Sequence, residues 1–283
     1  MLVRFWGVRG SIPVPGPTTM HFGGNTSCVE VRADDGQLVI IDAGTGLRGL
    51  GNELMLPGYA RGQKEGFVLF SHTHWDHIQG FPFFQPAFGS RPEDRGIDQF
   101  HLFGFDAVDK QLENTLRGQM EHPYFPVKLE QMGARINFHG IREGSFRLGP
   151  NVVVEAGHLN HPNGCLGFRI VDESSGKVVC YASDTEPLGP GLLDQNVVKL
   201  AHEADVFIYD AQFTPNEYDH HVGWGHSTWE DGVRLAKAAR AKMLALTHHA
   251  PQHDDAAVAD IEAQARRCFD NVLAAYETLA IKV

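Results

Sequence analysis

The chain predicts an α/β fold, and three observations carry the prediction. Segments of strand character alternate with segments of helical period along its whole length. The run GFVLF (66–70) is apolar throughout, as a buried strand is. Near the C-terminus Val258, Ile261, Ala265, Cys268, Val272 and Tyr276 recur at helical spacing and mark one buried face of a helix over about 255–276.

The remaining elements follow in order. LVRFW (2–6) is a short apolar strand, and SCVEVRADDGQLVIID (27–42) reads as two strands around an Asp-Asp-Gly turn. Gly44, Gly46, Gly49 and Gly51 mark a turn and a loose helix. FHLFGF (100–105) predicts a strand and VDKQLENTLRGQM (108–120) a helix. VVVEA (152–156), GFRIVD (167–172) and KVVCYASD (177–184) are strands, the last two joined through Glu-Ser-Ser-Gly. LLDQNVVKLAHEA (192–204) is helical and DVFIYDA (205–211) a strand. STWEDGVRLAKAARA (227–241) predicts a helix with Ser227 as N-cap and Glu230 completing a capping box. KMLALTHHA (242–250) is a strand ending in histidines. The Pro- and Phe-rich stretches FPFFQPAF (81–88) and HPYFPV (122–127) read as loops or lids, with Phe83, Phe84, Tyr124 and Phe125 suited to stack on a base or to form a dimer interface.

Composition bounds the function. A chain of 283 residues, 42% hydrophobic and without an internal linker, suits a single domain spanning 1–283. No apolar run approaches the roughly 20 residues of a membrane span, and the N-terminus lacks the pattern of a secretory signal. Four scattered cysteines without a CxxC point to buried thiols in a reducing cytoplasm. A formal net charge of -11 argues against a broad nucleic-acid footprint. It leaves room for a small anionic substrate held by metal ions.

The segment SHTHWDHIQG (71–80) concentrates the chemistry. It follows a buried strand directly and places His72, His74, Asp76 and His77 within six positions. In extended backbone His72 and His74 point to one side. Asp76 and His77 lie on the turn beyond, so one loop half-fills two metal sites. Imidazole and carboxylate suit zinc, manganese and iron.

His72-Thr73-His74-Trp75-Asp76-His77 resembles the signature of the metallo-β-lactamase superfamily, and the resemblance extends over nearly the whole chain. It implies a four-layer αββα sandwich with two divalent metal ions at one edge. His161, six residues before Gly167, matches the next ligand; Asp184 in YASDT matches the bridging aspartate; His248 in LTHHAP matches the last. The family pattern then gives one metal to His72, His74 and His161 and the other to Asp76, His77 and His248, with Asp184 shared. Asp42 in IIDAGTG matches the buried aspartate that supports the metal loop. His158 competes with His161, and His249 and His253 with His248.

Gly225-His226-Ser227-Thr228 resembles an element of the phosphodiesterase branch, which includes ribonuclease Z and cyclic-phosphate phosphodiesterases. In that branch the histidine meets an acidic residue on the preceding strand, a place taken here by Asp210 in a Tyr-Asp-Ala-Gln string that departs from the usual His-Glu-Ala-Thr. The resemblance implies catalysis by Asp76 at the metals, His226 as general acid and Asp210 as its orienter, with hydroxide from the dinuclear centre attacking phosphorus. His161 and Asp184 lie only 23 positions apart, which leaves no room for the basic tRNA-gripping arm usual in ribonuclease Z. Residues 7–28 resemble the opening loop of the branch, with Gly23 to Ser27 able to face a phosphate or base. The expected function is therefore opening of a 3′,5′-cyclic nucleotide. A ribose cyclic phosphate, RNA 3′-processing, and lactone, thioester or carboxylic-ester hydrolysis are the alternatives. Branch members are often homodimers.

Overall fold

The computed structural model describes residues 1–59, 63–89, 97–105 and 111–283. The first half of the chain runs β1 (Leu2–Gly7), β2 (Cys28–Arg32), β3 (Leu38–Ile41), α1 (Leu47–Leu54), β4 (Glu65–Leu69), α2 (Trp75–Ile78), β5 (Gln99–Phe105), α3 (Gln111–Gln119) and β6 (Arg135–Ile141). The second runs β7 (Gly144–Leu148), β8 (Val152–Leu159), β9 (Cys165–Asp172), β10 (Lys177–Ala182), α4 (Gln195–Leu200), β11 (Val206–Asp210), α5 (Pro215–Tyr218), α6 (Trp229–Ala239), β12 (Leu244–Thr247), α7 (Asp255–Arg266), β13 (Val272–Ala274) and β14 (Ala280–Lys282).

Two seven-stranded sheets result, in the orders β14-β1-β2-β3-β4-β5-β6 and β13-β12-β11-β10-β9-β8-β7. Each is antiparallel on one side and parallel on the other: β3, β4, β5 and β6 pair in parallel, as do β10, β11, β12 and β13. Alternation along the strands builds three apolar layers. Val39 and Ile41 of β3 face Val179 and Ile208 of the other sheet, while Leu38 and Ile40 turn outward to Leu47 and Leu50 of α1. Phe207 and Tyr209 of β11 turn outward to Val233 and Ala236 of α6. The layering is therefore helix, sheet, sheet, helix, the αββα sandwich. Strands covered on both faces read as unbroken apolar runs, which explains GFVLF. Among the described residues no helix is long and apolar enough to cross a membrane.

Several expectations need correction. The last helix ends at Arg266, not near 276. Val272 instead pairs with Leu244 at the growing edge of the second sheet, and the ladder overrides a spacing that suits a helix equally well. The α6 N-cap is Thr228, whose side chain accepts from the Asp231 N–H, so the predicted Ser227 cap is displaced by one residue. Ser227 is buried and bonds Tyr209 through its hydroxyl at 2.9 Å. FPFFQPAF is not a lid: it forms two 3-10 turns that bury Phe81 and Phe84 against α1, with Phe83 left 58% exposed. In the helix expected over 108–120, residues 108–110 lie outside the described residues, and Gln111–Gln119 are helical.

Candidate metal centre

Parallel strands all point their C-terminal ends to one edge, and the loops there carry the ligand-type side chains. Asp42 follows β3, His72 follows β4, Asp184 follows β10, Asp210 ends β11 and His248 follows β12. Asp42, Asp184 and His248 each sit just beyond a strand in the left-handed region, at φ 61°, 60° and 61°. That conformation is disfavoured for any residue with a Cβ and concentrates at functional sites.

Ligand-type atoms converge at this edge in three partly overlapping groups, of which Asp184, Asp210, His226 and His248 form the third. Asp76, His77, Asp184 and His248 form one. His77 Nε2 stands 3.3 Å from His248 Nε2, 3.4 Å from Asp76 Oδ2 and 3.3 Å from Asp184 Oδ1. His248 Nε2 is 3.2 Å from Asp76 Oδ2 and 3.3 Å from Asp184 Oδ1. Four donors bound tetrahedrally at zinc-like lengths stand about 3.3 Å from one another, so this spacing fits one divalent ion. His72, His74 and His161 form the second cluster, with His161 Nε2 3.1 Å from His74 Nδ1. Asp184 faces both: its Oδ2 lies 3.7 Å from His72 Nε2.

The surrounding bonds engage Nδ1 and leave Nε2 free on three of the rings, His72, His77 and His161. His77 Nδ1 donates to Asp42 Oδ2 at 2.8 Å, and His161 Nδ1 donates to Gly225 O at 2.8 Å. The Ser71 hydroxyl donates to Asp42 and can accept from His72 Nδ1 at 3.1 Å. All three Nε2 lone pairs are thereby turned inward. His72 Nε2 is buried with no hydrogen-bond partner. Asp42 also accepts from the Ser71 N–H and the Tyr181 hydroxyl. Among the described residues, Asp42, Asp76, Asp184 and Asp210 form ion pairs only with histidines, and no Lys or Arg neutralises them. Buried carboxylates converging with imidazoles, and with no Lys or Arg beside them, are a donor set that cations would satisfy. The donor set, all nitrogen and oxygen, fits two divalent ions.

Burial alone would raise the Asp76 carboxyl, yet His77 and His248 hold it well below the usual carboxylate range. Burial pushes the His72 imidazole down. Burial also works against a charged His226, but Asp210 outweighs it and raises the imidazole to about 9. His226 Nδ1 lies 2.9 Å from Asp210 Oδ2 and 3.8 Å from Asp184 Oδ2. The ring stacks on His248 at 4.9 Å. Asp210 further accepts from the N–H groups of Asp184, Thr185 and Gln212, so its oxygens are already engaged.

The structure thus brings together His72, His74, Asp76, His77, His161, Asp184, His248, Asp210 and His226. The competing histidines lie elsewhere: His158 packs edge-on against Phe105, His249 meets Ala275 O, and His253 meets Glu217. Gly23 to Ser27 do not form a phosphate cradle: Asn25 is bonded to Glu277, and Thr26 to Thr45. The opening loop meets the site earlier, where the Ser11 N–H donates to Asp76 Oδ2 at 2.7 Å. A Cβ at Gly10 would stand 2.4 Å from the His248 ring, and one at Gly225 2.3 Å from His161 Nδ1. Sequence reading passed over Ser11, Gly10, Ser71 and Tyr181. Gly10 and Ser11 fall within the opening-loop resemblance over 7–28 and Ser71 stands beside the first histidine, but nothing in the sequence singles any of them out.

Comparison with known proteins bears on the family and the fold. The family described as a beta-lactamase superfamily domain matches residues 37–249. Ribonuclease Z of Bacillus subtilis is 23% identical over 259 residues, covering 76% of this chain and 80% of its own. The short form of human tRNase Z superposes with a TM-score of 0.70 at 22% identity, over 100% of this chain and 99% of its own. A diphosphatase from the PhnP family gives a TM-score of 0.69 at 18% identity, over 100% and 97%.

Proposed function

The chain belongs to the beta-lactamase superfamily and is a metal-dependent hydrolase, and from that premise we propose a dinuclear phosphodiesterase that opens a small cyclic phosphodiester, a 3′,5′-cyclic nucleotide first. Residues 1–283 act as one hydrolase domain in this reading. His72, His74 and His161 would hold one divalent ion and Asp76, His77 and His248 the other, with Asp184 placed to serve both. Zinc suits the donor spacing, with manganese or iron as alternatives. Two such ions supply Lewis acidity to the phosphoryl oxygens and acidify a water near neutral pH.

The observation that carries the reading is the His226–Asp210 pair, 2.9 Å apart beside the shared Asp184. An alkoxide leaves phosphorus poorly unless it is protonated. With Nδ1 given to Asp210, His226 presents Nε2 to the leaving oxygen. An imidazole raised to about 9 carries that proton at neutral pH. Asp76, oriented by the Ser11 N–H, keeps its charge between His77 and His248.

RNA 3′-processing is the second reading, favoured by relatives named ribonuclease Z that align over most of their length. Against it stand the net charge of -11 and the plain antiparallel hairpin of β9 and β10 between His161 and Asp184. The deciding experiment offers zinc- and manganese-loaded protein cyclic AMP, cyclic GMP and a precursor tRNA with a 3′ trailer. Turnover of a cyclic nucleotide with an intact precursor is the expected result. Trimming of the precursor alone would replace the first reading by the second.

A further inference from the structure

Glu186 lies two residues beyond Asp184, and its side chain is buried. Among the described residues it forms no ion pair; three neutral donors, one at the end of α5 and two in the loop that follows, surround its carboxylate instead. The Tyr218 hydroxyl reaches Oε1 at 3.0 Å, the Gly223 N–H reaches Oε1 at 2.6 Å, and the Gly225 N–H reaches Oε2 at 2.9 Å. The Glu186 backbone is tied in turn to the segment that carries His161. Its N–H donates to Asn160 O at 2.8 Å, and Asn160 Nδ2 donates to its carbonyl at 2.9 Å. Gly225 closes the circuit by accepting from His161 Nδ1 and leading directly into His226.

Burying a carboxylate without a cation is costly, and an apolar or amide side chain would close a loop more cheaply. The cost is consistent with a task at the site. We propose that Glu186 is a positioning residue: its carboxylate holds the segment Gly223 to His226 so that Gly225 O sets the tautomer of His161 and His226 stands beside Asp184. This rests on the roles of His161 and His226 proposed above. Glutamine is not equivalent to Glu186, because it turns one acceptor into an N–H₂ group that faces an N–H donor.

The test uses Glu186→Gln and Tyr218→Phe in the full chain. Metal-free protein is titrated with zinc by calorimetry, and kcat and KM are measured with cyclic AMP and with bis-p-nitrophenyl phosphate. Glu186→Gln is expected to weaken one of two zinc-binding steps by about 10- to 100-fold and leave the other unchanged. It lowers kcat on cyclic AMP over a similar range with KM little moved. The loss on bis-p-nitrophenyl phosphate is smaller, because nitrophenolate departs without a proton. Tyr218→Phe, which removes one of the three bonds, moves the same quantities in the same direction by less, and it decides the question if Glu186→Gln fails to fold. Two zinc steps as in the unsubstituted protein, with both substrates slowed equally or not at all, would reduce Glu186 to loop packing and overturn the proposal. The zinc titration reads the tie to His161 even for a protein that turns over no phosphodiester, so the two failures are distinguishable.

Discussion

Asp210 and Asp42 each fix one ring, and their removal has different signatures. Asp210 outweighs burial to raise His226 to about 9. An acid that acts protonated supports turnover below its pKa and loses it as pH rises through that value. Asp210→Asn therefore moves the basic limb of the kcat–pH profile to lower pH and reduces kcat on a cyclic nucleotide by about 10²- to 10⁴-fold at neutral pH. An unmoved limb would separate Asp210 from the titration of His226. Asp42→Ala strips partners from Ser71, His77 and Tyr181 at once. It is expected to weaken metal binding by about 10- to 100-fold, read by chelator competition. At this scale most of the residues that converge at the edge were legible in the sequence. The pattern of candidate ligands is local in His72 to His77, and the later candidates match a resemblance at strand ends. Ser11, Gly10 and Glu186 were not legible, because they act through backbone groups or through a loop whose path no periodicity encodes.

Elements set the distances between those residues. The β9–β10 hairpin, with its Glu-Ser-Ser-Gly turn, was readable from two apolar runs. The start of α6 was read one residue early because Ser227 and Thr228 are both good caps and only packing chooses between them. Thr228→Ala should destabilise the fold by about 1 kcal/mol in urea unfolding; an unchanged midpoint would contradict the assignment of the cap. The approach of the opening loop is tighter still. Gly10→Ala places a methyl 2.4 Å from the His248 ring, and overpacking there costs about 1–3 kcal/mol. Reduced stability together with weakened metal binding is expected. Normal metal binding in that variant would show that the loop yields without moving His248.

Across the whole molecule, two sheets with matching parallel and antiparallel sides bring five strand ends to one edge. The apolar runs foretold buried strands, and the resemblance foretold their stacking. β6 and β7 went unread because they lie at sheet margins, where partial exposure blurs the pattern, and β13 because Val272 fits helix and strand spacing alike. Uncompensated carboxylates at the shared edge couple the fold to its cations. Metal at about 1,000 times its dissociation constant stabilises the folded state by roughly 4 kcal/mol. A thermal melt should therefore rise with added zinc and fall on chelation. The central claim, proton delivery by His226 to an alkoxide leaving phosphorus, is tested most directly by comparing His226→Ala with the unsubstituted protein on cyclic AMP and on bis-p-nitrophenyl phosphate. The account predicts a loss of about 10²- to 10⁴-fold on cyclic AMP and a much smaller one on the nitrophenyl ester. Absence of phosphodiester turnover in the unsubstituted metal-loaded protein, with cleavage of a lactone or thioester instead, would contradict it.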